Sequence, residues 1–491
     1  MTQTAAIIGG GVIGGGWAAR FLLNGWNVRI FDPDPQAARK INDVLTNARR
    51  SLPGLLDVAL PKEGQISFHD EITQAVEGAV WIQESVPERI DIKRRTLAEI
   101  QDTCNPAAVI GSSTSGFKPS ELQQDAKRGS QIMVCHPFNP VYLLPLVEVV
   151  TTEENDAQIT ESAKDLLTGI GMHPLHLKKE IDAHVADRFL EAVWREALWL
   201  VKDGIATTEE IDNAIRYGFG LRWAQMGLFE TYRVAGGEAG MKHFMAQFGP
   251  ALKWPWTKLM DVPELTDELI DLIAGQSDAQ SGHFSIRELE RIRDSNLVAM
   301  MRALKSQDAG AGALLAAQEQ SLRANSELGQ VAADIVDPSL PILTLRRCVP
   351  LDWTDYNGHM NEAKYLQAFG DATDRFMALV GCDAAYIATG GSYFTAETHI
   401  RHIDEVHAGV LIEVRTRVLG GGGKKMHIWH EMYDGDRLLA TGEHFLLHVN
   451  LKTRRPCDAS TAIDAALRRF VEAQAHLPLP TGAGRSIGAP R

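Results

Sequence analysis

The residues best suited to acid–base chemistry lie in the stretch 131–150, QIMVCHPFNPVYLLPLVEVV. His136 ends an apolar run typical of a buried strand, Asn139 follows three residues later, and Glu148 lies near the end of the next apolar run. A histidine placed there can act as general base toward an alcohol, while a carboxylate orients its ring and stabilises its charged form. Asn139 could hold the ring or polarise a carbonyl, and Phe138 is a candidate substrate contact. A structural histidine would give the same pattern.

A second candidate contact region is the loop after the apolar run of AAVIGSSTSG. In a doubly wound sheet, such loops lie at the carboxyl ends of the strands, where ligands bind. Turn formation alone would explain the four small polar residues, but together with His136 they become candidates for substrate binding. These residues are Ser112, Ser113, Thr114 and Ser115.

The glycines of AAIIGGGVIGGG, residues 5–16, indicate a ligand-binding turn between a strand and a helix. An apolar strand precedes them and a helical pattern follows, so Gly9-x-Gly11-x-x-Gly14 reads as a dinucleotide fingerprint with Val12 and Ile13 inside it. The first glycine permits a tight turn, the second lets the backbone approach a pyrophosphate, and the third lets the helix pack close to the strand. The helix N-terminus favours phosphate.

Asp32 ends the second predicted strand, 23 residues after Gly9. A carboxylate there would accept hydrogen bonds from a ribose diol and repel a 2′-phosphate, which favours NAD over NADP. FAD remains open on these residues alone. Gly15 and Gly16 lie beyond the fingerprint, and we expect them to allow close packing at the start of the helix.

Composition limits the class of protein. With 491 residues the chain should divide into several domains, and its formal charge of -14 argues against a nucleic-acid partner. We expect a cytoplasmic protein without a membrane partner, because neither a spanning apolar run nor a basic leader is found. The spacing of the cysteines suggests neither a disulfide framework nor a metal site. They are Cys104, Cys135, Cys348, Cys382 and Cys457.

Six motifs in order, GGGVIG, FDPD, ESVPE, SSTS, HPFNP and LVEVV, resemble the 3-hydroxyacyl-CoA dehydrogenase superfamily over the whole first domain. The resemblance implies reversible hydride transfer between a secondary alcohol and NAD. It implies that His136 is the catalytic base and Glu148 its partner, while Ser115 and Asn139 contact the substrate hydroxyl and carbonyl.

After about residue 180 the pattern is helical, and the wide apolar surface of VADRFLEAVWREALWLVKDG predicts a buried helix. Asp187 stands where the superfamily usually has a substrate-side Asn. The added negative charge is adverse for an anionic acyl-CoA and favourable for a cation. The stretch GFGLRWAQMGLFETYRVAGG resembles the branch that acts on free hydroxy acids, which includes gulonate and carnitine dehydrogenases.

Aromatic residues are dense in this half, and aromatic faces bind quaternary ammonium groups. Most of them should be core, but Trp223 is a candidate pocket residue and Arg222 a candidate partner for a substrate carboxylate. The aromatic set comprises Trp194, Trp199, Trp223, Phe229, Tyr232, Phe244, Trp254 and Trp256.

The last part of the chain predicts a strand from Thr344, a helix over Asn361–Val380 and three alternating strands, an α+β arrangement. Its loop LDWTDYNGHMNEAKYL resembles the hot-dog thioesterases, at Asp355, Gly358, His359 and Asn361. Asp355 could serve as nucleophile or base, with backbone N–H groups around His359–Asn361 polarising the thioester carbonyl. Turn and N-cap roles for Asp355 and Asn361 are the alternative.

We therefore predict an α/β Rossmann domain, an all-α dehydrogenase domain and an α+β hot-dog domain. The boundaries are 1–183 for NAD binding, 184–325 for substrate and dimerisation, 326–341 for a linker, 342–480 for the thioesterase and 481–491 for a flexible tail. The resemblance implies L-carnitine and betainyl-CoA as substrates and a homodimer or higher oligomer. A 3-hydroxyacyl-CoA or gulonate-like substrate, with a non-catalytic hot-dog domain or one acting on another acyl-CoA, is the alternative.

Overall fold

Apolar runs in the first part of the chain form one eight-stranded sheet. A run such as Ala5–Ile8 suits a strand covered on both faces, and these four residues are fully buried. The strands are β1 (Thr4–Ile8), β2 (Asn27–Phe31), β3 (Ile66–His69), β4 (Trp81–Glu84), β5 (Val109–Ser112), β6 (Ile132–Pro137), β7 (Leu146–Val150) and β8 (His173–Leu177). Their order is β3-β2-β1-β4-β5-β6-β7-β8. All neighbours are parallel except β6 and β7, which are antiparallel.

Helices connect these strands and then continue as a helical region. The first six are α1 (Val12–Leu23), α2 (Ala37–Ser51), α3 (Ile72–Val76), α4 (Ile90–Thr103), α5 (Pro119–Gln123) and α6 (Ala157–Gly169). The helical region contains α7 (Ala186–Lys202), α8 (Thr208–Ala214), α9 (Gly220–Ala235), α10 (Gly240–Phe248), α11 (Asp267–Ser281), α12 (Ile286–Lys305) and α13 (Ala311–Asn325). Thr207 and Glu210 form the predicted capping box before α8.

Alternating strands in the last part of the chain form an antiparallel sheet around one long helix. The strands are β9 (Ile342–Cys348), β10 (Gly391–His402), β11 (Leu411–Gly422), β12 (Lys425–Asp434), β13 (Arg437–Asn450) and β14 (Arg455–Pro456). The helices are α14 (Glu362–Leu379), α15 (Ala384–Ala388) and α16 (Thr461–Gln474). The order is β10-β13-β12-β11-β9, with β14 beside β13. Apolar residues of α14, such as Phe369 and Phe376, are buried in the cores of this part.

This architecture comes from a computed structural model that describes residues 2–235, 240–248, 255–258, 264, 266–325, 336–355 and 357–485. The chain divides into a first unit, Met1–Ala48 with Lys62–Gln318, and a second unit, Arg49–Pro61 with Glu319–Arg491. Within the second unit, Arg347 is 1% exposed and donates to Asp57 Oδ1 at 2.7 Å. Its guanidinium carbon lies 3.9 Å from the centre of the Trp353 ring.

The predicted helix over 361–380 and the three strands that follow it are found, with Asn361 as the N-cap of α14. The prediction of a buried helix after residue 185 is wrong for this chain by itself. Phe189 and Trp194 of α7 are 54% and 59% exposed, because nothing among the described residues covers this apolar face. No helix in the described ranges is long and apolar enough to cross a membrane.

Candidate active sites

The glycine fingerprint forms a turn between β1 and α1 whose backbone leaves room for a ligand. Gly9 has a φ of +104°, and a Cβ there would lie 2.5 Å from the carbonyl oxygen of Ser85. A Cβ on Gly14 would lie 1.8 Å from the carbonyl oxygen of Gly9. At Gly11, by contrast, no described atom lies within 4 Å of a Cβ position. The first and third glycines are therefore required by the fold, while the second opens the space that a pyrophosphate needs.

Val12 and Ile13 begin α1, and Val12 is 60% exposed beside this open space. Gly15 and Gly16 have the packing role expected of them. A Cβ on Gly15 would lie 3.3 Å from Val44, and one on Gly16 would lie 2.9 Å from Val141. The helix start therefore packs against neighbouring side chains at these two positions, while Gly11 before them borders the open space.

Asp32 directly follows β2 and is held rigidly by the backbone. Its Oδ2 accepts the N–H of Gly10 at 2.5 Å, and its Oδ1 accepts the N–H of Asp34 at 2.7 Å. A cleft at the glycine turn carries four basic residues, each of which also lies within ion-pair distance of a carboxylate. Its lining includes Gly11, Val12, Asn139, Arg39, Lys40, Arg287 and Arg293. These features fit NAD.

His136 and Glu148 form the centre of the candidate dehydrogenase site. The two residues lie opposite each other in the β6–β7 pair, and His136 Nδ1 lies 3.0 Å from Glu148 Oε2. Both side chains are buried. This contact leaves Nε2 as the nitrogen that can exchange a proton with a substrate, which is the arrangement a general base requires.

Glu148 also fixes the start of α7. Its Oε1 accepts the backbone N–H groups of Val185 and Ala186, both at 2.9 Å. Burial alone would raise the pKa of Glu148, but the hydrogen bond with His136 and these two N–H groups outweigh burial and lower the pKa below its usual range. Glu148 is therefore a carboxylate at neutral pH, able to stabilise a protonated imidazole.

Three further side chains surround the His136 ring. Asp187 Oδ2 lies 3.8 Å from His136 Nε2, the nitrogen that Glu148 does not bind. Burial raises the pKa of Asp187, and the neighbouring Glu148 acts in the same direction while His136 opposes it. The Phe138 ring lies edge-on to His136 at 4.9 Å between centres. His184, which the sequence reasoning did not single out, is fully buried at 5.6 Å from His136 and bonds the carbonyl of Thr114 at 3.2 Å.

A buried hydrogen-bond network involving Ser112, Glu84 and Lys93 lies at the start of the polar loop after β5. Ser112 Oγ donates to Glu84 Oε2 at 2.5 Å, and Lys93 Nζ donates to Glu84 Oε1 at 3.0 Å. Ser115 and Asn139 themselves are exposed, as substrate contacts would be in the free enzyme. Neither has a hydrogen bond to His136 among the described residues, and their contacts with substrate stay predictions.

The structure does not bring Arg222 or Trp223 to His136. Both lie on α9 with exposed side chains, and the described contacts of Trp223 include Phe219 at 4.6 Å between ring centres. Trp199 already has Lys258 Nζ 3.9 Å from its ring centre. Most of the described aromatics in this region are partly or largely exposed rather than core, and Trp254 lies outside the described residues.

The second candidate site is the loop before α14. Asp355 Oδ1 accepts the N–H groups of Asn357 at 2.8 Å and His359 at 3.3 Å, while its Oδ2 accepts no described hydrogen bond. Gly358 provides the turn with a φ of +79°. Asn361 Oδ1 caps α14 through the N–H of Ala363 at 3.0 Å. Turn and N-cap roles are thus present, and the second carboxylate oxygen of the half-buried Asp355 is not used by them.

The backbone N–H groups expected to polarise a thioester carbonyl are engaged within the protein. The N–H of His359 binds Asp355, that of Met360 binds the Val406 carbonyl at 2.8 Å, and that of Asn361 binds the Trp353 carbonyl at 2.8 Å. The predicted role of these three groups is therefore wrong for this structure, because they hold the loop in place. The positive end of α14 begins at the next residue, Glu362.

Comparison with known proteins matches both candidate sites to families. The NAD binding domain of 3-hydroxyacyl-CoA dehydrogenase matches residues 4–181, and the C-terminal domain of that enzyme matches residues 184–267. The thioesterase-like superfamily matches residues 349–467. The predicted fold classes and the NAD cofactor are thereby confirmed.

Two relatives and one solved structure are similar to this chain over different lengths. The L-carnitine dehydrogenase/betainyl-CoA thioesterase of Ruegeria pomeroyi is 70% identical over 99% of both chains. The L-carnitine dehydrogenase of Mesorhizobium japonicum is 61% identical over 63% of this chain and 85% of its own. The structure of 5-formyl-3-hydroxy-2-methylpyridine 4-carboxylic acid 5-dehydrogenase, an NAD+ dependent dismutase, is 27% identical with a TM-score of 0.53, over 62% of this chain and 99% of that one. The similarity of this chain to the Ruegeria pomeroyi protein extends over both the dehydrogenase and the thioesterase regions. The chain therefore belongs to the L-carnitine dehydrogenase/betainyl-CoA thioesterase family.

Proposed function

We propose that the chain oxidises L-carnitine to 3-dehydrocarnitine with NAD and hydrolyses betainyl-CoA to glycine betaine and CoA. The observation that carries the first activity is the Asp187 carboxylate, 3.8 Å from the proton-exchanging nitrogen of His136. A carboxylate at this distance from the base is next to whatever alcohol the base deprotonates. It attracts a substrate with a cationic group near the hydroxyl, and it repels an anionic one.

The dehydrogenase mechanism follows from the His136–Glu148 pair. When bound, NAD supplies the acceptor for the hydride that leaves the carbon bearing the hydroxyl. His136 Nε2 takes the hydroxyl proton, and Glu148 at Nδ1 stabilises the resulting imidazolium. In the reverse direction the same nitrogen returns the proton to the alkoxide. Ser115 and Asn139 are proposed to hold the substrate oxygen during both steps.

The trimethylammonium group of carnitine lies one carbon away from the carbon that is oxidised. It would therefore lie close to Phe138, whose ring is 4.9 Å from that of His136, and close to Asp187. A quaternary ammonium ion is attracted by aromatic faces as well as by carboxylates. Arg222 and Trp223 remain proposed contacts for the far end of the substrate, on the sequence alone.

The second activity is proposed for Asp355. Its Oδ2 can act as base toward a water molecule that attacks the thioester carbon, after which the C–S bond breaks and CoA leaves as the thiol with the proton taken from water. Alternatively, Oδ2 attacks that carbon directly and CoA leaves as a thiolate that takes up a proton from solvent; water then hydrolyses the acyl-aspartate anhydride and regenerates the carboxylate. The amides bound by its other oxygen hold the carboxylate in one orientation. The N-terminal end of α14 supplies positive potential for the developing oxyanion.

Two assays of the purified chain test these activities. NAD reduction is measured with L-carnitine, L-gulonate and 3-hydroxybutyryl-CoA, and failure to turn over carnitine contradicts the first proposal. Thiol release from betainyl-CoA is measured for the native chain, for Asp355→Ala and for Asp436→Ala, which changes an exposed aspartate in the β12–β13 turn. We expect loss of hydrolysis in the first variant only. Equal rates in all three proteins would mean that Asp355 is not catalytic.

We also propose a cytoplasmic homodimer. The five cysteines are free thiols, which suits a reducing compartment. The apolar face of α7, including Phe189, Leu190 and Trp194, is more exposed than a monomer usually tolerates. Light scattering after gel filtration should give twice the mass of the chain, and Trp194→Lys should shift it toward the monomer. A monomeric native protein would contradict the proposal.

A further inference from the structure

Two histidines and a glutamate lie close together beside the thioesterase loop. The group contains no cysteine, so the spacing of the cysteines could not predict it. His359 belongs to the loop before α14, while Glu405 and His407 lie in the connection between β10 and β11. Each of the three side chains can present one ligand atom such that all three atoms lie within 4.8 Å of one another. His359 is half-buried, and the other two side chains are exposed and so accessible from solvent.

The two histidines are held opposite each other by the backbone rather than by side-chain rotamers. His359 and His407 form an antiparallel bridge, and the N–H of Met360 donates to the carbonyl of Val406 at 2.8 Å beside it. Val406 is fully buried, which anchors the segment between Glu405 and His407. The ring centres of the two histidines are 4.6 Å apart. The backbone entropy of bringing the two segments together is therefore lost on folding rather than when both rings bind a common ligand.

The hydrogen bonds of these residues also match those of metal ligands. His407 Nδ1 lies 3.0 Å from the carbonyl oxygen of Gly358, a contact that requires Nδ1 to carry the proton and leaves Nε2 with its lone pair. Metal-bound histidines commonly have such a contact from the second nitrogen to a carbonyl. His359 Nδ1 lies 3.4 Å from Glu405 Oε2. Two ligand atoms each about 2.1 Å from a tetrahedral ion are roughly 3.4 Å apart.

From this geometry we propose that His359, Glu405 and His407 form a binding site for Zn²⁺ or a similar transition-metal ion at the edge of the thioesterase loop. Imidazole with one carboxylate is a donor set that suits zinc, whereas Mg²⁺ and Ca²⁺ require oxygen ligands. Three protein ligands leave a fourth position for water or a small anion. The bound ion would fasten the loop that carries Asp355 to the β10–β11 connection.

The test is a zinc titration of the full chain by competition with a chromophoric chelator. Since the chain has 16 histidines, the informative quantity is the difference between native protein and variants. We expect His407→Ala and Glu405→Gln each to weaken the binding of one equivalent of zinc by more than about tenfold. Even residues that only hydrogen-bond to the ligands of a zinc site change its metal affinity by about 10- to 100-fold. His476→Ala, which removes an exposed histidine after α16, should titrate like the native chain.

Hydrogen exchange locates the effect without reference to either enzymatic activity. Zinc should slow exchange in residues 357–361 and 404–407 of the native chain and leave it unchanged in His407→Ala. Millimolar Mg²⁺ should neither produce this protection nor compete with zinc. Identical zinc titrations of the native chain and both ligand variants would overturn the proposal, as would equal protection by Mg²⁺. Glu405→Gln keeps the test valid if a histidine variant is unstable, since Glu405 is exposed.

Discussion

Glu148 binds His136 with one carboxylate oxygen and the first turn of α7 with the other. The first contact, at 3.0 Å, orients the base, and the second, through Val185 and Ala186 at 2.9 Å, fixes where the helical region begins. Asp187 follows directly in that turn, so Glu148 holds both His136 and the start of the helix that carries Asp187. Under the proposed function, one residue therefore positions both the base and the carboxylate that discriminates between substrates.

Replacing His136 by alanine should lower kcat for L-carnitine by about 10²-fold or more, because the alcohol loses its proton acceptor. NAD affinity, measured by fluorescence titration, should persist, since the glycine turn is formed by other residues. His173→Ala removes an exposed histidine at the start of β8 and should leave kcat unchanged. If His136→Ala also loses NAD binding, the residue is structural.

Replacing Asp32 by alanine should weaken the preference for NAD over NADP by roughly tenfold or more, because the carboxylate that repels a 2′-phosphate is gone. The ratio of kcat/KM for the two cofactors measures the effect. Asp70→Ala, an exposed aspartate after β3, provides the control for a loss of one negative charge. An unchanged ratio in Asp32→Ala would contradict the assigned role of this carboxylate.

Replacing Asp187 by asparagine should raise the KM for L-carnitine by about tenfold or more, since opposite charges about 5 Å apart attract by roughly 3 kcal/mol at an effective dielectric constant of 20. Because burial raises the pKa of Asp187, its charge is lost at a higher pH than that of an ordinary aspartate. The KM of the native chain should therefore rise as the pH falls toward that pKa, and the variant should lack this rise. Equal pH profiles for the two proteins would exclude Asp187 as the group responsible.

The second unit should lose stability in mild acid because of His444. Burial lowers the pKa of His444 from 6.5 to about 4. Between pH 6.5 and about 4, His444 is therefore protonated in the unfolded chain and neutral in the folded unit. Stability should fall as the pH drops from 6.5 to about 4, by about 1.4 kcal/mol per pH unit for each such proton. His430, whose pKa burial also lowers, adds to the slope.

Hydrogen exchange in β12 and β13 as a function of pH measures this loss of stability. His444→Leu should reduce the slope by about one proton, because one buried imidazole no longer has to be protonated on unfolding. The matched control His476→Ala should leave the slope unchanged, since this histidine is exposed. If His444→Leu has the native slope, the proton is taken up elsewhere.

Local patterns were enough to predict β1, α1, β2 and the glycine turn, because these depend on neighbours within one βαβ segment. Strands β3, β8 and β10 were not predicted. The pattern of residues 131–150 proposed a base and a carboxylate partner, and the resemblance assigned these roles to His136 and Glu148. Their direct contact depends on an antiparallel β6–β7 register. His184 and the pair His359 and His407 went unnoticed, since their partners come from distant segments. The sequence could not distinguish an exposed apolar face on α7 from a buried one. The same apolar periodicity is found whether the face packs within the chain or against a partner.

Residues 49–61 lie within the dehydrogenase part of the sequence, yet they belong to the second unit, where Asp57 binds the buried guanidinium of Arg347. The unit that contains the thioesterase is consequently formed by two separate segments of the sequence. Expressing residues 342–480 as a fragment would take Asp57, whose side chain is 31% exposed, away from the guanidinium of Arg347, which is 1% exposed in the full chain. Exchange of this activity between relatives by recombination at the linker alone would therefore carry a stability cost, unless the donor's counterpart of residues 49–61 moved with it.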